Sequence, residues 1–186
     1  MALIKSISGI RGTIGGEPGE SLTPIDVVKF SAAFGAILAE NNSNLTVVVG
    51  RDGRISGEMV NNLVINTLIG LGINVIDLGF STTPTVEIAT KAEGAAGGVI
   101  ITASHNPKEW NALKLLNSEG EFIDAATGEE VLKRAAALEI NFSTVDKLGS
   151  IKVNSQYLQK HIDLVLAYPL VNVKAIEKKK YKIVLV

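Results

Sequence analysis

Three residues with chemically useful side chains follow one another directly after an apolar strand. The run of strand-forming residues ends at Ala103, and Ser104, His105 and Asn106 come next, before Pro107 fixes the backbone. A serine hydroxyl is a weak nucleophile unless a neighbouring base activates it or it carries the group to be transferred. The sequence therefore allows acyl transfer or phosphoryl transfer at Ser104. It also allows an interpretation without chemistry, in which these residues form only a turn.

A serine hydrolase needs a histidine ring that reaches the serine hydroxyl and an acid that orients the ring. His105 is the next residue after Ser104, so the two side chains tend to diverge, and the sequence has no Gly-x-Ser-x-Gly motif. The other histidine, His161, lies in a segment that we predict to belong to a second domain. These observations favour phosphoryl transfer, while the hydrolase stays an alternative that a fluorophosphonate label on Ser104 would detect.

Several residues near Ser104 in the sequence, and one in the N-terminal stretch, have side chains that can bind a phosphoryl group. The backbone N–H groups at the end of a strand form an anion cradle, and His105, Asn106 and Lys114 add side-chain donors. Arg11 lies in a glycine-rich stretch that we predict to be a flexible loop closing over the same edge of the sheet. Arginine binds phosphate oxygens through two parallel hydrogen bonds. The competing interpretation of Lys114 is an exposed strand residue.

A second arginine-rich stretch, Gly-Arg-Asp-Gly-Arg at 50–54, follows another apolar strand. We predict that Arg51 supports the phosphate-binding loop, because ligands of parallel α/β sheets bind beyond the carboxyl ends of the strands. The alternative is a solvated loop in which Asp52 pairs with an arginine.

The pattern of elements predicts an α/β fold. Continuous apolar strands alternate with amphipathic helices, which is typical of a largely parallel sheet buried on both faces. The predicted strands are 3–8, 45–50, 73–79, 95–103 and 112–117, and the predicted helices are 22–41, 56–72, 83–94, 124–139 and 154–168. We expect Thr23 and Ser56 to cap the first two helices.

Composition excludes several classes of protein. The net charge of −1 gives no general attraction to nucleic acid or to an anionic membrane. Cysteine is absent, which removes disulfides and thiolate chemistry. No signal peptide or membrane-length apolar run is seen, so we expect a cytoplasmic protein without nucleic-acid or membrane partners.

The end of the sequence predicts a second domain. From about Gly149 the pattern changes, and a helix, a linker after Pro169 and a hydrophobic strand ending at Val186 follow. We therefore place a first domain at 1–149 and the start of a second, truncated domain at 150–186, because a chain seldom ends within a strand.

Four segments together resemble the α-D-phosphohexomutase family, the phosphoglucomutases and phosphomannomutases. Thr-Ala-Ser-His-Asn-Pro at 102–107 is similar to the family's active-site serine loop, and Asn-Ala-Leu-Lys at 111–114 to the segment that follows it. Ser-Gly-Ile-Arg-Gly at 8–12 resembles the family's N-terminal arginine loop, and the stretch 47–57 resembles its Gly-Arg-Asp motif. The resemblance covers essentially the whole chain and implies a three-layer α/β/α sandwich with a mixed, largely parallel sheet.

The resemblance also implies roles for individual residues. Ser104 would be stored as phosphoserine, exchange its phosphoryl group with a hexose phosphate through a bound hexose 1,6-bisphosphate, and contribute to a Mg²⁺ site. His105 would support the phosphoserine, while Lys114 and Arg11 would surround the transferring group and assist proton movement. Supporting roles would fall to other residues near the loop, namely Thr102, Asn106, Asn111 and Arg51.

The resemblance limits what this chain can do alone. The family's other Mg²⁺ ligands, its sugar-specificity loop and its phosphate-binding loop belong to later domains, so we expect this chain to be inactive by itself. The sugar is left open among glucose, mannose, glucosamine and pentose phosphates, and a non-catalytic phosphate-binding domain stays an alternative. Ala112 stands where the family usually has glycine, which would strain the loop if the position required a positive φ angle.

Overall fold

The computed structural model describes residues 2–6, 9–137 and 140–184. Within them, the strands are β1 (Leu3–Ser6), β2 (Gly9–Thr13), β3 (Thr46–Arg51), β4 (Asn74–Phe80), β5 (Gly97–Ile101), β6 (Trp110–Leu116) and β7 (Ile151–Val153). The α-helices are α1 (Pro24–Asn41), α2 (Gly57–Gly70), α3 (Thr83–Ala92), α4 (Ala125–Ala137), α5 (Tyr157–Ala167) and α6 (Val173–Lys179). None of these helices is long and apolar enough to cross a membrane.

All the described strands form one mixed sheet in the order β1-β2-β6-β5-β3-β4-β7. The pairs β5–β3, β3–β4 and β4–β7 are parallel, whereas β1–β2, β2–β6 and β6–β5 are antiparallel. The strands that run in one common direction are β2, β3, β4, β5 and β7. The predicted mixed, largely parallel sheet is confirmed.

Helices cover both faces of the sheet, as the continuous apolar strands predict. On β3, Val47 and Val49 pack into the larger core with α1, α2 and α4, and Val48 packs with α3 and α5 on the opposite face. Successive side chains of a strand point to opposite faces, so both helical layers are needed to bury this one strand. The α/β/α arrangement is confirmed.

The glycine-rich N-terminal stretch is a strand, which corrects the prediction of a flexible loop around Arg11. Strand β2 pairs with β6, and Arg11 lies opposite Ala112. A Cβ atom on Gly9 would lie 2.3 Å from the Leu113 carbonyl oxygen, and one on Gly12 would lie 2.7 Å from that of Ala2. These glycines therefore permit close backbone packing. Residues 7 and 8 of the predicted first strand lie outside the described residues.

The helix caps agree with prediction only in part. Thr23 forms a capping box with Asp26 at the start of α1, as expected. Ser56 holds the N-cap position of α2, but its side chain makes no capping hydrogen bond. The Ser56 hydroxyl instead accepts a hydrogen bond from Asn111 Nδ2 at 2.9 Å.

The segment after residue 149 differs from its predicted elements. Strand β7 joins β4 within the main sheet, and α6 occupies the predicted linker, capped by Asn172. The predicted last strand is wrong at 181–184, because these residues pair with no other strand of the described chain, and 185–186 lie outside it. The domain boundary at 149/150 stays a prediction.

Candidate functional site

Ser104 lies in a pocket at the carboxyl end of β5. The pocket has a volume of about 170 Å³ and is lined by Gly9, Arg11, Thr102, Ala103, Ser104, His105, Asn106, Ala112 and Lys114. The structure thus brings together Ser104 with its predicted cationic partners from three separate parts of the chain. No carboxylate is among these lining residues, so the pocket suits an anion.

The sheet register explains why the two cations of the pocket lie near each other. Arg11 on β2 is directly opposite Ala112 on β6, and Lys114 follows two positions later on the same face of β6. The Lys114 ammonium lies 5.6 Å from the centre of the Phe122 ring. Arg11 Nε is buried and has no hydrogen-bond partner among the described residues. An anion in the pocket would satisfy such a donor, because buried polar groups are normally paired.

The serine loop, which we define as residues 102–109, has an unusual backbone at Ser104. Its φ angle is +52°, a left-handed conformation that serine seldom adopts. The Ser104 N–H donates to Thr102 Oγ1 at 3.1 Å, and the Asn106 N–H donates to the Ala103 carbonyl at 3.0 Å. The loop is therefore a tight turn, and the exposed Ser104 side chain stands at the pocket.

Thr102 connects the serine loop to the neighbouring strand. Its hydroxyl donates to Asp52 Oδ2 at 2.6 Å while accepting from the Ser104 N–H. Asp52 follows β3, and its N–H donates to the Ile101 carbonyl at 3.0 Å. The supporting role predicted for Thr102 stays a prediction, and these two hydrogen bonds are the contacts through which it would act.

Arg54 is a functional candidate that the sequence analysis missed. Its guanidinium donates four hydrogen bonds of 2.7–3.0 Å to backbone carbonyl oxygens, those of Ser104, Asn106, Pro107 and Trp110. Its Nε lies 3.3 Å from Asp52 Oδ2, which is the arginine–aspartate pair considered above. A turn whose carbonyl groups have no backbone partner needs other hydrogen-bond donors. The arginine-rich stretch at 50–54 was the feature of the sequence that could have indicated Arg54 as such a donor.

Arg51, by contrast, does not line the pocket, and the four hydrogen bonds to the carbonyl groups of this turn come from Arg54. The supporting role of Arg51 stays a prediction. Its guanidinium lies 4.3 Å from the centre of the Phe80 ring and donates to the Asp52 carbonyl at 3.2 Å. Arg51 and Phe80 are paired in register at the ends of β3 and β4, which explains the stacking.

Asn111 and Ala112 support the site from within β6. Asn111 is fully buried and donates to Ser56, so its side chain ties β6 to the start of α2 and does not line the pocket. Ala112 is buried in the strand and does not have a positive φ angle. The strain considered for alanine at this position is absent.

The fold and the pocket define the chain as an α/β/α domain whose serine loop lies beside Arg11 and Lys114. Residues 3–141 match the family model described as "Phosphoglucomutase/phosphomannomutase, alpha/beta/alpha domain I". The chain belongs to the phosphoglucomutase/phosphomannomutase family, which confirms the resemblance.

Curated relatives carry several names within this family. A phosphoglucosamine mutase of Levilactobacillus brevis is 36% identical over 163 residues, which are 84% of this chain and 35% of that relative. A phosphoglucomutase/phosphomannomutase of Thermococcus kodakarensis is 44% identical over 113 residues, which are 60% of this chain and 24% of that relative. The chain thus spans about a quarter to a third of the length of these relatives.

Solved structures show the same fold. A putative phosphomannomutase from Thermus thermophilus has a TM-score of 0.76 and 24% sequence identity, and the match covers 95% of this chain and 38% of that one.

Proposed function

We propose that this chain carries the phosphoryl-transferring serine of a phosphohexomutase that moves a phosphoryl group between the 1- and 6-positions of a hexose phosphate. The observation that carries the proposal is the pocket itself, in which the Ser104 side chain lies with Arg11, His105 and Lys114 and with no carboxylate. Phosphoryl transfer requires positioning and stabilised oxygens more than covalent help from the protein. The names of the relatives support glucose, mannose or glucosamine phosphates as the substrate class.

The proposed reaction has two matched steps. The bond between phosphorus and Ser104 Oγ breaks as a sugar hydroxyl oxygen bonds to the phosphorus, which yields a hexose 1,6-bisphosphate. After the bisphosphate turns round, its other phosphoryl group returns to Ser104 Oγ. No water enters either step, so the phosphoryl groups are conserved.

The pocket residues have different roles in the proposed reaction. Arg11 neutralises charge on the phosphoryl oxygens and donates hydrogen bonds to them. Lys114 accepts the proton that the attacking sugar hydroxyl loses in the first step and returns it, in the second step, to the sugar oxygen at the other position as its phosphoryl group leaves. His105 supports the phosphoserine by a hydrogen bond. These assignments refine the sequence prediction, which gave Arg11 a share in proton movement.

Magnesium would need ligands that the described residues do not assemble. No cluster of three or more His, Asp or Glu side chains that could hold a metal occurs in 2–6, 9–137 and 140–184. Of the pocket residues, only Ser104, as phosphoserine, would offer the anionic oxygen ligands that Mg²⁺ prefers. We therefore assign no step to the metal and propose that this chain alone does not catalyse the mutase reaction.

A chimeric enzyme tests the proposal. Residues 3–141 of this chain would replace the matching part of the Thermococcus relative, and conversion of glucose 1-phosphate to glucose 6-phosphate would be measured. We expect an active chimera, loss of activity in Ser104→Ala, and unchanged activity in Ser118→Ala, a control at an exposed turn. A folded chimera that is equally active with Ser104→Ala would overturn the proposal.

The 186-residue chain is assayed in parallel. We expect no turnover from it. Phosphate binding that survives Ser104→Ala, together with an inactive but folded chimera, would indicate the non-catalytic phosphate-binding alternative.

A further inference from the structure

We propose that Arg54 is a positioning residue that fixes both the backbone shape and the local charge of the serine loop. The inference rests on the phosphoryl-transfer function proposed above. It assigns a role in that function to Arg54, which does not line the pocket. The hydrogen bonds of Arg54 to the serine loop and to Trp110 all go to backbone carbonyl groups, so it acts on the reaction through Ser104 and its neighbours.

The contacts of Arg54 use both terminal nitrogens of the guanidinium twice. Nη1 donates to the carbonyls of Pro107 at 2.8 Å and Trp110 at 3.0 Å. Nη2 donates to those of Ser104 at 2.7 Å and Asn106 at 2.8 Å. Four carbonyl oxygens are thereby turned toward one cation. A phosphoryl group in the adjacent pocket is spared the repulsion of these partial negative charges.

The same contacts hold Ser104 in its left-handed conformation. Its N–H is bound by Thr102 Oγ1 and its carbonyl by Arg54 Nη2, so both peptide groups that flank the residue are restrained. Such a conformation persists in serine only where the surrounding structure over-determines it. Without Arg54, one of the two restraints is lost, and the direction of the Ser104 hydroxyl is no longer fixed.

Arg54 is itself held firmly. Its side chain is only 11% exposed, its Nε lies 3.3 Å from Asp52 Oδ2, and its backbone N–H donates to Asp52 Oδ1 at 3.0 Å. Lysine cannot reproduce this arrangement, because an ammonium is a point charge with three donors and lacks the planar fork of arginine. Arg54→Lys therefore keeps the positive charge of Arg54 but loses the geometry of its four hydrogen bonds.

The first test measures loop order in the 186-residue chain. The backbone N–H groups of Ser104, Asn106 and Trp110 donate hydrogen bonds to groups of the serine loop. Arg54 binds the carbonyl groups of these residues and not their N–H groups. We expect their hydrogen exchange to quicken about tenfold or more in Arg54→Met, as expected when a charged hydrogen bond is removed. The three-bond coupling between the Ser104 amide and Hα protons, which reports φ, should change as well.

The second test measures binding of inorganic phosphate by NMR titration. We expect the dissociation constant to rise about tenfold in Arg54→Met and in Arg54→Lys, by the same reasoning. Added guanidinium, well below denaturing concentration, should restore binding to Arg54→Met. Arg134→Met is the matched control, because Arg134 is also bound by several hydrogen bonds, to Glu40 and Glu130, but lies on α4.

The outcomes separate this inference from the proposed function. Unchanged exchange and unchanged φ coupling in Arg54→Met would overturn the role of Arg54, whatever the phosphate result. A loosened loop in Arg54→Met, with no phosphate binding by the unaltered chain, would support the positioning of Ser104 by Arg54 while contradicting the proposed phosphoryl site. Should Arg54→Met not fold, Arg54→Lys decides: wild-type exchange and wild-type phosphate affinity in that variant overturn the inference.

Discussion

The Thr102 hydroxyl donates a 2.6 Å hydrogen bond to Asp52 Oδ2 and so joins the end of β5 to the end of β3. The same oxygen accepts the Ser104 N–H, which makes Thr102 the link between a neighbouring strand and the candidate phosphoryl carrier. A small number of polar contacts thus sets the shape of the loop on which the proposed chemistry depends.

Replacing Thr102 with valine should destabilise the domain. The change keeps the side-chain shape but leaves the Ser104 N–H and one Asp52 oxygen without this partner, at a cost of about 1–3 kcal/mol in the free energy of unfolding. Urea denaturation measures the effect. Thr102→Ser keeps the hydroxyl and serves as the control, and equal losses in both variants would contradict the role of the hydrogen bonds.

Two replacements of Ser104 should differ in stability although both remove the hydroxyl. Glycine adopts φ of +52° without the steric penalty that alanine retains. We expect the free energy of unfolding of Ser104→Gly to be about 1 kcal/mol larger than that of Ser104→Ala. The steric penalty of alanine in the left-handed conformation outweighs the greater chain entropy that glycine has in the unfolded state. Urea denaturation of the pair tests this, and a more stable alanine variant would show that the loop relaxes away from the left-handed conformation.

Ala112→Gly should lower stability, although the resemblance described in the sequence analysis implies glycine at this position. Ala112 is buried within β6 and does not have a positive φ angle, so glycine relieves no strain there. We expect a loss of about 1 kcal/mol in the free energy of unfolding from backbone entropy and the missing methyl group. Thermal unfolding of Ala112→Gly and of the unaltered chain measures this difference, and a more stable glycine variant would contradict the prediction.

Tyr157 should make stability fall at high pH. Burial, together with the hydrogen bond that its hydroxyl donates to Glu93, raises the pKa of Tyr157 to about 12. Because the unfolded state loses this proton near a pH of about 10, the stabilisation is complete below that pH and is lost as pH rises toward about 12.

Ultraviolet titration of the phenolate and unfolding at a series of pH values measure this effect. In Tyr157→Phe, the midpoint near 12 should vanish from the titration, and stability should fall less between about pH 10 and about pH 12. The same fall in both proteins would assign it to other groups.

The central strands β3, β4 and β5 were predictable from the sequence, whereas side-chain directions at their carboxyl ends were not. The run before Ala103 correctly placed Ser104 at the carboxyl edge of the sheet. Arg51 and Arg54 are close in the sequence, and only the tertiary pairing of β3 with β4 shows that Arg51 stacks on Phe80 while Arg54 reaches the serine loop. The choice depends on a turn geometry that residue types alone do not determine.

The N-terminal glycines illustrate a second limit. Glycine favours loops by its conformational freedom, but here Gly9 and Gly12 are required by the close approach of neighbouring backbones. That requirement arises only once β1, β2 and β6 are assembled. Helix α6 was missed for a related reason, since its 7 residues are too few to give a clear helical period.

The most direct test of the central claim is peptide mapping by mass spectrometry of the protein purified from the cells that make it. The peptide containing Val99 to Lys114 should carry one phosphoryl group on Ser104, and incubation with glucose 1,6-bisphosphate should raise the modified fraction. An unmodified Ser104 before and after that incubation would contradict the account, because a phosphohexomutase serine must hold the phosphoryl group between turnovers.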